Sequence, residues 1–275
     1  MSVRRLMSSA ICAVTLLCAA RAPADDTPDS SSSVPLYRKF KVSIGYHYSR
    51  GTYGNPEATE IQYVPLVLTA DVDRWRLQGT VPYLHISGPS AIVEGPNGPI
   101  QTTNGTSDGL GDVLTRLSYL LPMRRLLPAA YAELAWIPFV DLSALVKFPT
   151  GSRSKGLGTG EFDFGFDAEL TWVVARLTPF ASLGYRYLGS PPDTHLDDVL
   201  VASAGAQYRF LSSLSAGLLL DYRGAPTPAT GQRLEIVPYA TWIVVPPWSV
   251  DAYVSAGLAS GSPDVGVGVQ IGYSW

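Results

Sequence analysis

The amino-acid sequence predicts an all-β protein, a transmembrane antiparallel up-and-down β-barrel of about twelve strands. Three observations carry this. Apolar residues alternate with small or polar ones in segment after segment, which is a period of two. Most of these segments exceed the roughly 5–6 residues usual in soluble sheets and match the roughly 9–11 of a tilted membrane-crossing strand. The connections alternate between short and long, as in outer-membrane barrels with their tight periplasmic turns and longer external loops.

Composition narrows the classes. Only 16% of the 275 residues are charged, against roughly one quarter in soluble domains. The 26 Gly, 22 Pro and 2 Cys exclude collagen, a disulfide scaffold and a largely disordered chain. A net charge of −3 argues against nucleic acid as a partner, because phosphate binding needs clustered Lys and Arg.

Residues 1–24 read as a secretory signal peptide. Arg4 and Arg5 form a basic start, Ala10 to Ala20 an apolar stretch too short to span a bilayer, and Ala22-Pro23-Ala24 a small-residue cleavage pattern. Both cysteines, Cys12 and Cys18, leave with it, so the exported chain holds itself without disulfides. Its three arginines leave too, and the net charge becomes −6. Residues 25–36 follow as a polar, disordered leader, and the barrel occupies 37–275.

The strands follow in order. Segment 38–49 sets Phe40, Val42, Ile44, Tyr46 and Tyr48 against Lys41, Ser43, Gly45, His47 and Ser49. Segments 60–71 and 74–86 alternate weakly, contain Pro65 and Pro82, and leave their facing open. Segments 109–121 and 139–149 put Asp112, Arg116, Asp141 and Lys147 on the polar face. In 160–173, Phe162, Phe164, Phe166, Ala168, Leu170 and Trp172 oppose Glu161, Asp163, Gly165, Asp167 and Glu169. Segment 177–188 carries Arg186, and 198–210 sets Leu200, Ala202, Ala204 and Tyr208 against Ser203, Gly205, Gln207 and Arg209. Segments 212–223 and 232–245 follow, the latter holding Pro238; each proline removes a ladder hydrogen bond and marks a bulge. Segment 248–259 alternates around Val250, Val254 and Leu258, and 264–275 is the clearest, with Val265, Val267, Val269, Ile271, Tyr273 and Trp275 on one face.

Short connections fall at Val72-Asp73, Ala175-Arg176, Leu211 and Pro246-Pro247, and long ones at 50–59, 87–108, 150–159, 189–197 and 224–231. The exception is 122–138, which is long for a periplasmic turn. Threaded up and down from a periplasmic start, Trp75, Trp136, Trp172, Trp242, Trp248 and Trp275 collect at one end. Tyr48, Tyr83, Phe148, Phe162, Phe164, Tyr187 and Tyr222 collect at the other, giving the two aromatic belts of a membrane barrel. Closure follows from the solvent: an open sheet in lipid leaves edge amides unpaired at several kcal/mol each, and a ring has no edge. The competing fold is a soluble β protein with the acids of 160–173 turned to water.

Several motifs carry a resemblance. Gly109-Leu110-Gly111-Asp112 opens a strand, Lys147-Phe148-Pro149-Thr150-Gly151 closes one, Gly156-Leu157-Gly158-Thr159-Gly160 follows, and then comes Gly184-Tyr185-Arg186-Tyr187. In this order they resemble the outer-membrane barrel family labelled "putative meta-pathway of phenol degradation", which also covers the pore that exports functional amyloid. The resemblance implies a barrel of about a dozen strands acting as a channel in the bacterial outer membrane. The last strand, ending in Trp275, also resembles the signal read by the barrel assembly machinery.

The expected chemistry is that of a lumen. Lys147, Glu161, Asp163, Asp167, Glu169, Arg186, Arg209, Asp112 and Arg116 are its lining candidates. They form either a paired network that stiffens the barrel or a charge ring that selects solutes. The acids of 160–173 favour cations, moderated by Lys147 and Arg186. The expected function is passive passage of small solutes, aromatic or hydrophobic ones among them, with the longest loop, 87–108, as gate. A structural or adhesive barrel with a closed lumen is the alternative. A barrel enzyme would need His47 or His85 to meet Ser49 or Ser87 at one rim. No cofactor or metal is expected: His47, His85 and His195 lack ligand spacing, and the glycine-rich 156–160 lacks the helix of a phosphate loop.

Overall fold

The computed structural model describes residues 38–123 and 137–275. The expected signal peptide and leader lie outside these residues, as do Trp136 and most of the 122–138 connection. The described chain forms β1 (Arg38–Gly51), β2 (Thr59–Val72), β3 (Trp75–Gly88), β4 (Ile92–Gly95), β5 (Gly98–Gln101), β6 (Gly105–Leu110), β7 (Val113–Leu121) and β8 (Phe139–Phe148). It continues with β9 (Asp163–Thr171), β10 (Leu177–Tyr187), β11 (Val199–Arg209), β12 (Leu214–Arg223), β13 (Arg233–Val245), β14 (Trp248–Gly257) and β15 (Val265–Ser274). Neighbours in the wall pair antiparallel, and β6 and β7 run end to end along β3 as one wall strand. β1 pairs with both β2 and β15, which closes the sheet into a twelve-strand barrel.

The register shows how each proline is accommodated. Along β3 the pairing jumps from Tyr83–Leu110 to Thr80–Leu114, a one-residue bulge at Gly111-Asp112. Pro82 faces that break, and its carbonyl accepts the Gly111 N–H at 3.0 Å. Pro65 and Pro238 behave differently from the bulges expected. The β1–β2 ladder skips Pro65 and the β13–β14 ladder skips Pro238, yet the register is the same on either side of each gap.

The outward face is apolar. Ile44, Leu66, Leu77, Phe166, Leu183, Leu220, Val254 and Ile271 are all exposed. A continuous apolar surface of this kind is foreign to a soluble monomer and natural against hydrocarbon. Aromatic pairs mark both rims. Phe40–Trp275 (5.9 Å), Trp75–Tyr119 (4.6 Å) and Trp248–Tyr273 (5.0 Å) lie at the short-turn end, with Phe148–Phe162 (5.8 Å) and Tyr185–Tyr187 (4.9 Å) at the long-loop end. Leu183 lies mid-strand and is 56% exposed. Leu183→Arg is therefore expected to lower unfolding stability in vesicles by about 2–4 kcal/mol, and Val265→Arg near a strand end by about 0–1 kcal/mol. Urea titration of the two variants side by side measures the difference.

The inward face carries both polar groups and bulky rings. Several inward positions are glycines with a ring laid over them. A Cβ on Gly205 would lie 2.6 Å from the Phe180 ring, and one on Gly217 2.6 Å from the Tyr239 ring. These rings pack with Leu219 and Val237 into an apolar cluster inside the barrel.

Candidate functional site

Six of the nine lining candidates gather into two buried clusters on the inner face. In the first, Lys147 is 1% exposed and its Nζ lies 2.6 Å from Asp163, 3.5 Å from Asp112 and 3.1 Å from Thr159 Oγ1. In the second, Asp167 takes Arg186 through both carboxylate oxygens (2.7 and 3.1 Å) and Arg116 at 2.7 Å. Glu161, Glu169 and Arg209 lie apart from both. Glu161 sits in the loop before β9, Glu169 accepts from Thr171 Oγ1 at 3.0 Å, and Arg209 donates to the Ala175 carbonyl at a short turn. Asp163 and Asp167, on which a cation preference would rest, are thus neutralised by neighbours.

The motifs that carry the family resemblance build the first cluster. Asp112 sits at the bulge and accepts the Gly151 N–H at 2.8 Å, which pins the end of the β8 segment to the wall. Gly158 lies so close that a Cβ there would be 2.6 Å from the Asp112 carboxylate. Thr159 receives the lysine. Gly184 clears space in the second cluster, since a Cβ on it would fall 2.0 Å from Asp167 Oδ1. At Gly158 and Gly184, then, a carboxylate occupies the space a side chain would need.

The loop expected as a gate holds structure of its own. β4 and β5 form a hairpin around Pro96-Asn97, with Ile92 paired to Gln101 and Gly95 to Gly98. It folds inward. Val93 and Ile100 pack against Ile61, Tyr63, Leu84 and Ile86 on the inner face of β2 and β3, and against Tyr53 and Leu157 from neighbouring loops. On one side the Tyr63 hydroxyl donates to Asn97 Oδ1 at 3.0 Å. On the other, Arg223 Nη1 donates to Glu94 Oε2 at 2.7 Å. Tyr63 is on β2 and Arg223 on β12, five strands apart by one route round the wall and seven by the other. The hairpin thus crosses the barrel as a strap.

A third charged cluster surrounds the strap's anchor. Arg223 and Arg233 face Glu94, Asp221 and Glu235, and Arg233 is ion-paired with Glu235. Beside it a cavity of about 30 Å³ is lined by His47, Tyr53, Tyr63, Glu94, Arg233 and Tyr253, among others. His47 stacks on Tyr253 and lies tilted against Tyr63, each ring centroid 5.6 Å away, and neither of its ring nitrogens has a hydrogen-bond partner. Tyr53, in the loop after β1, is hydrogen-bonded to Ser49 at 2.9 Å. Burial pushes its phenol up to about 12, so it stays neutral.

His85 lies on the opposite parity of β3 from the inward Leu84 and Ile86, so the two histidines do not share a rim site. Sequence reasoning missed Glu94, Asn97, Tyr63 and Arg223. The turn Gly95-Pro96-Asn97-Gly98, with its Asn-Gly step, was the available signal.

Residues 26–275 match the family described as "Putative MetA-pathway of phenol degradation". The chain belongs to that family. No curated protein is similar to it in sequence. Among solved structures, the fold is similar to that of the COG4313 outer membrane channel from Pseudomonas putida F1, with a TM-score of 0.67 and 12% identity over 91% of this chain and 100% of that one. It is also similar to the NanC porin, with a TM-score of 0.53 and 12% identity over 86% of this chain and 98% of that one. At such identity the likeness is one of fold. The family and the barrel expected from the glycine-rich motifs are the ones found.

Proposed function

We propose that this member of the family is a bacterial outer-membrane channel through which small solutes pass passively, with the β4–β5 hairpin as its gate. The observation that carries this is the manner of anchoring. The strap crosses the bore and is tied to opposite walls by one ion pair and one hydrogen bond. That is an obstruction that can be released without opening the barrel wall. The solved channel and porin of similar fold support the reading, as does a lipid-ready outer face. Tyr53, Tyr63 and Tyr253 beside the cavity would favour solutes with an apolar or aromatic part.

The signal peptide would direct export, and the β15 strand with Trp275 would be read by the barrel assembly machinery. The charged clusters would serve as both stiffening and selective wall. Purified protein in planar bilayers is expected to show discrete current steps of low open probability, and liposomes containing it to swell in small sugars or amino acids. Silent bilayers and unswollen liposomes, from protein whose gel mobility changes on boiling as a folded barrel's does, would favour the closed structural barrel instead.

A further inference from the structure

We infer that Arg223 is a binding site for the carboxylate of the transported solute, and that Glu94 of the hairpin occupies it when the channel is closed. This rests on the channel reading above and names its substrate class. Glu94 is the sole charged residue of the hairpin strands and turn, 92–101. It is carried 2% exposed into the barrel, where a carboxylate is costly unless it is paired. It uses one oxygen on Arg223, while Oε1 is buried and has no partner. The hairpin's carboxylate is thus only half satisfied by the site it fills.

The surroundings fit exchange with a solute. The wall itself supplies Arg223 and Arg233 with Asp221 and Glu235, and Asp221 also feels Arg186. Replacing the Glu94 carboxylate by that of a solute leaves the formal charge of this cluster unchanged, so the exchange leaves no arginine newly unpaired. The cavity beside Glu94, about 30 Å³, is water-sized, and its walls include His47, Tyr53, Tyr63 and Tyr253, so a ring attached to the acid would meet these aromatic side chains in the space the departing hairpin vacates. A solute that binds Arg223 only after Glu94 has left binds the open state alone, and so shifts the population towards it.

The test uses benzoate as probe on the full-length channel in planar bilayers, with benzyl alcohol and benzylamine at equal ionic strength as controls. Benzoate is expected to raise open probability several-fold, and the neutral and cationic analogues to leave it unchanged. Glu94→Gln is expected to be open without benzoate and indifferent to it. Arg223→Gln is expected to behave the same way, with gel mobility before and after boiling confirming that each variant has folded. If Glu94→Gln opens the channel but benzoate does not act on the wild type, the carboxylate site is wrong and the gate stands. If Glu94→Gln and Arg223→Gln both gate like the wild type, the gate reading itself fails. Equal opening by benzoate and benzyl alcohol would reassign the site to the aromatic wall and overturn the role of Arg223.

Discussion

Excision of the β4–β5 hairpin, with Ala91 joined to Thr102 through two glycines, is expected to raise single-channel conductance several-fold and to abolish closures. The reason is geometric. Ala91 and Thr102 already form a hydrogen-bonded neck, with the Thr102 N–H donating to the Ala91 carbonyl at 2.8 Å and the Ala91 N–H to Thr102 Oγ1 at 3.0 Å. A short link can therefore replace what lies beyond. The wall strands pair with one another and not with the hairpin, so the ring survives its loss. What is lost is the apolar contact of Val93 and Ile100 with Ile61, Tyr63, Leu84 and Ile86, which exposes those side chains to a wetter bore. Bilayer recordings of the excised protein check this directly. Conductance no greater than that of the wild type would mean that the bore is blocked elsewhere, with the inward Phe180–Tyr239 cluster as the first place to test.

Asp167→Asn is expected to destabilise the barrel by about 3–5 kcal/mol, the usual cost of stripping one partner from a buried ion pair. Two cations depend on this carboxylate. Arg186 grips it through both oxygens and Arg116 through one, and all three side chains are largely shielded, with exposures of 5%, 15% and 4% for Arg186, Arg116 and Asp167. The neutral amide leaves both guanidiniums facing each other inside the wall. Urea unfolding in vesicles should show the loss, and reversal potentials should move towards anion preference. Glu169→Gln, half-buried near a short turn, is expected to do much less. An unmoved reversal potential in a folded Asp167→Asn barrel would mean that the Arg116–Asp167–Arg186 cluster does not border the ion path.

The strand positions were legible because lipid outside and polar groups inside impose opposite demands on alternate residues. Segment 264–275 became β15 and 198–210 became β11 within a residue or two. Strands β2 and β3 resisted the same reading for a physical reason. Leu66, Leu68, Val81 and Tyr83 face lipid, while Ile61, Tyr63, Leu84 and Ile86 face the hairpin, so both faces are apolar and the alternation fades. The hairpin escaped because its strands are four residues long, and Pro99 interrupts the second. The pairing of Arg116 with Asp167 escaped as well. It joins β7 to β9 across an intervening strand, and depends on register and curvature that no single segment encodes.

The contact between β1 and β15 runs unbroken from Lys41–Ser274 to Arg50–Val265. The wall therefore has a seam that joins the two sequence extremes of the barrel. Every other wall contact unites consecutive wall strands, the β3 pairing with β6 and β7 spanning only the β4–β5 hairpin, and can zip as soon as both strands exist. This one must wait for the last strand to be delivered, and until then the cylinder is a sheet with two raw margins. Its maturation is accordingly a latching event that depends on a distant encounter, and such encounters are slow. An agent that competes for the margin of β1 would arrest biogenesis while leaving the finished article untouched.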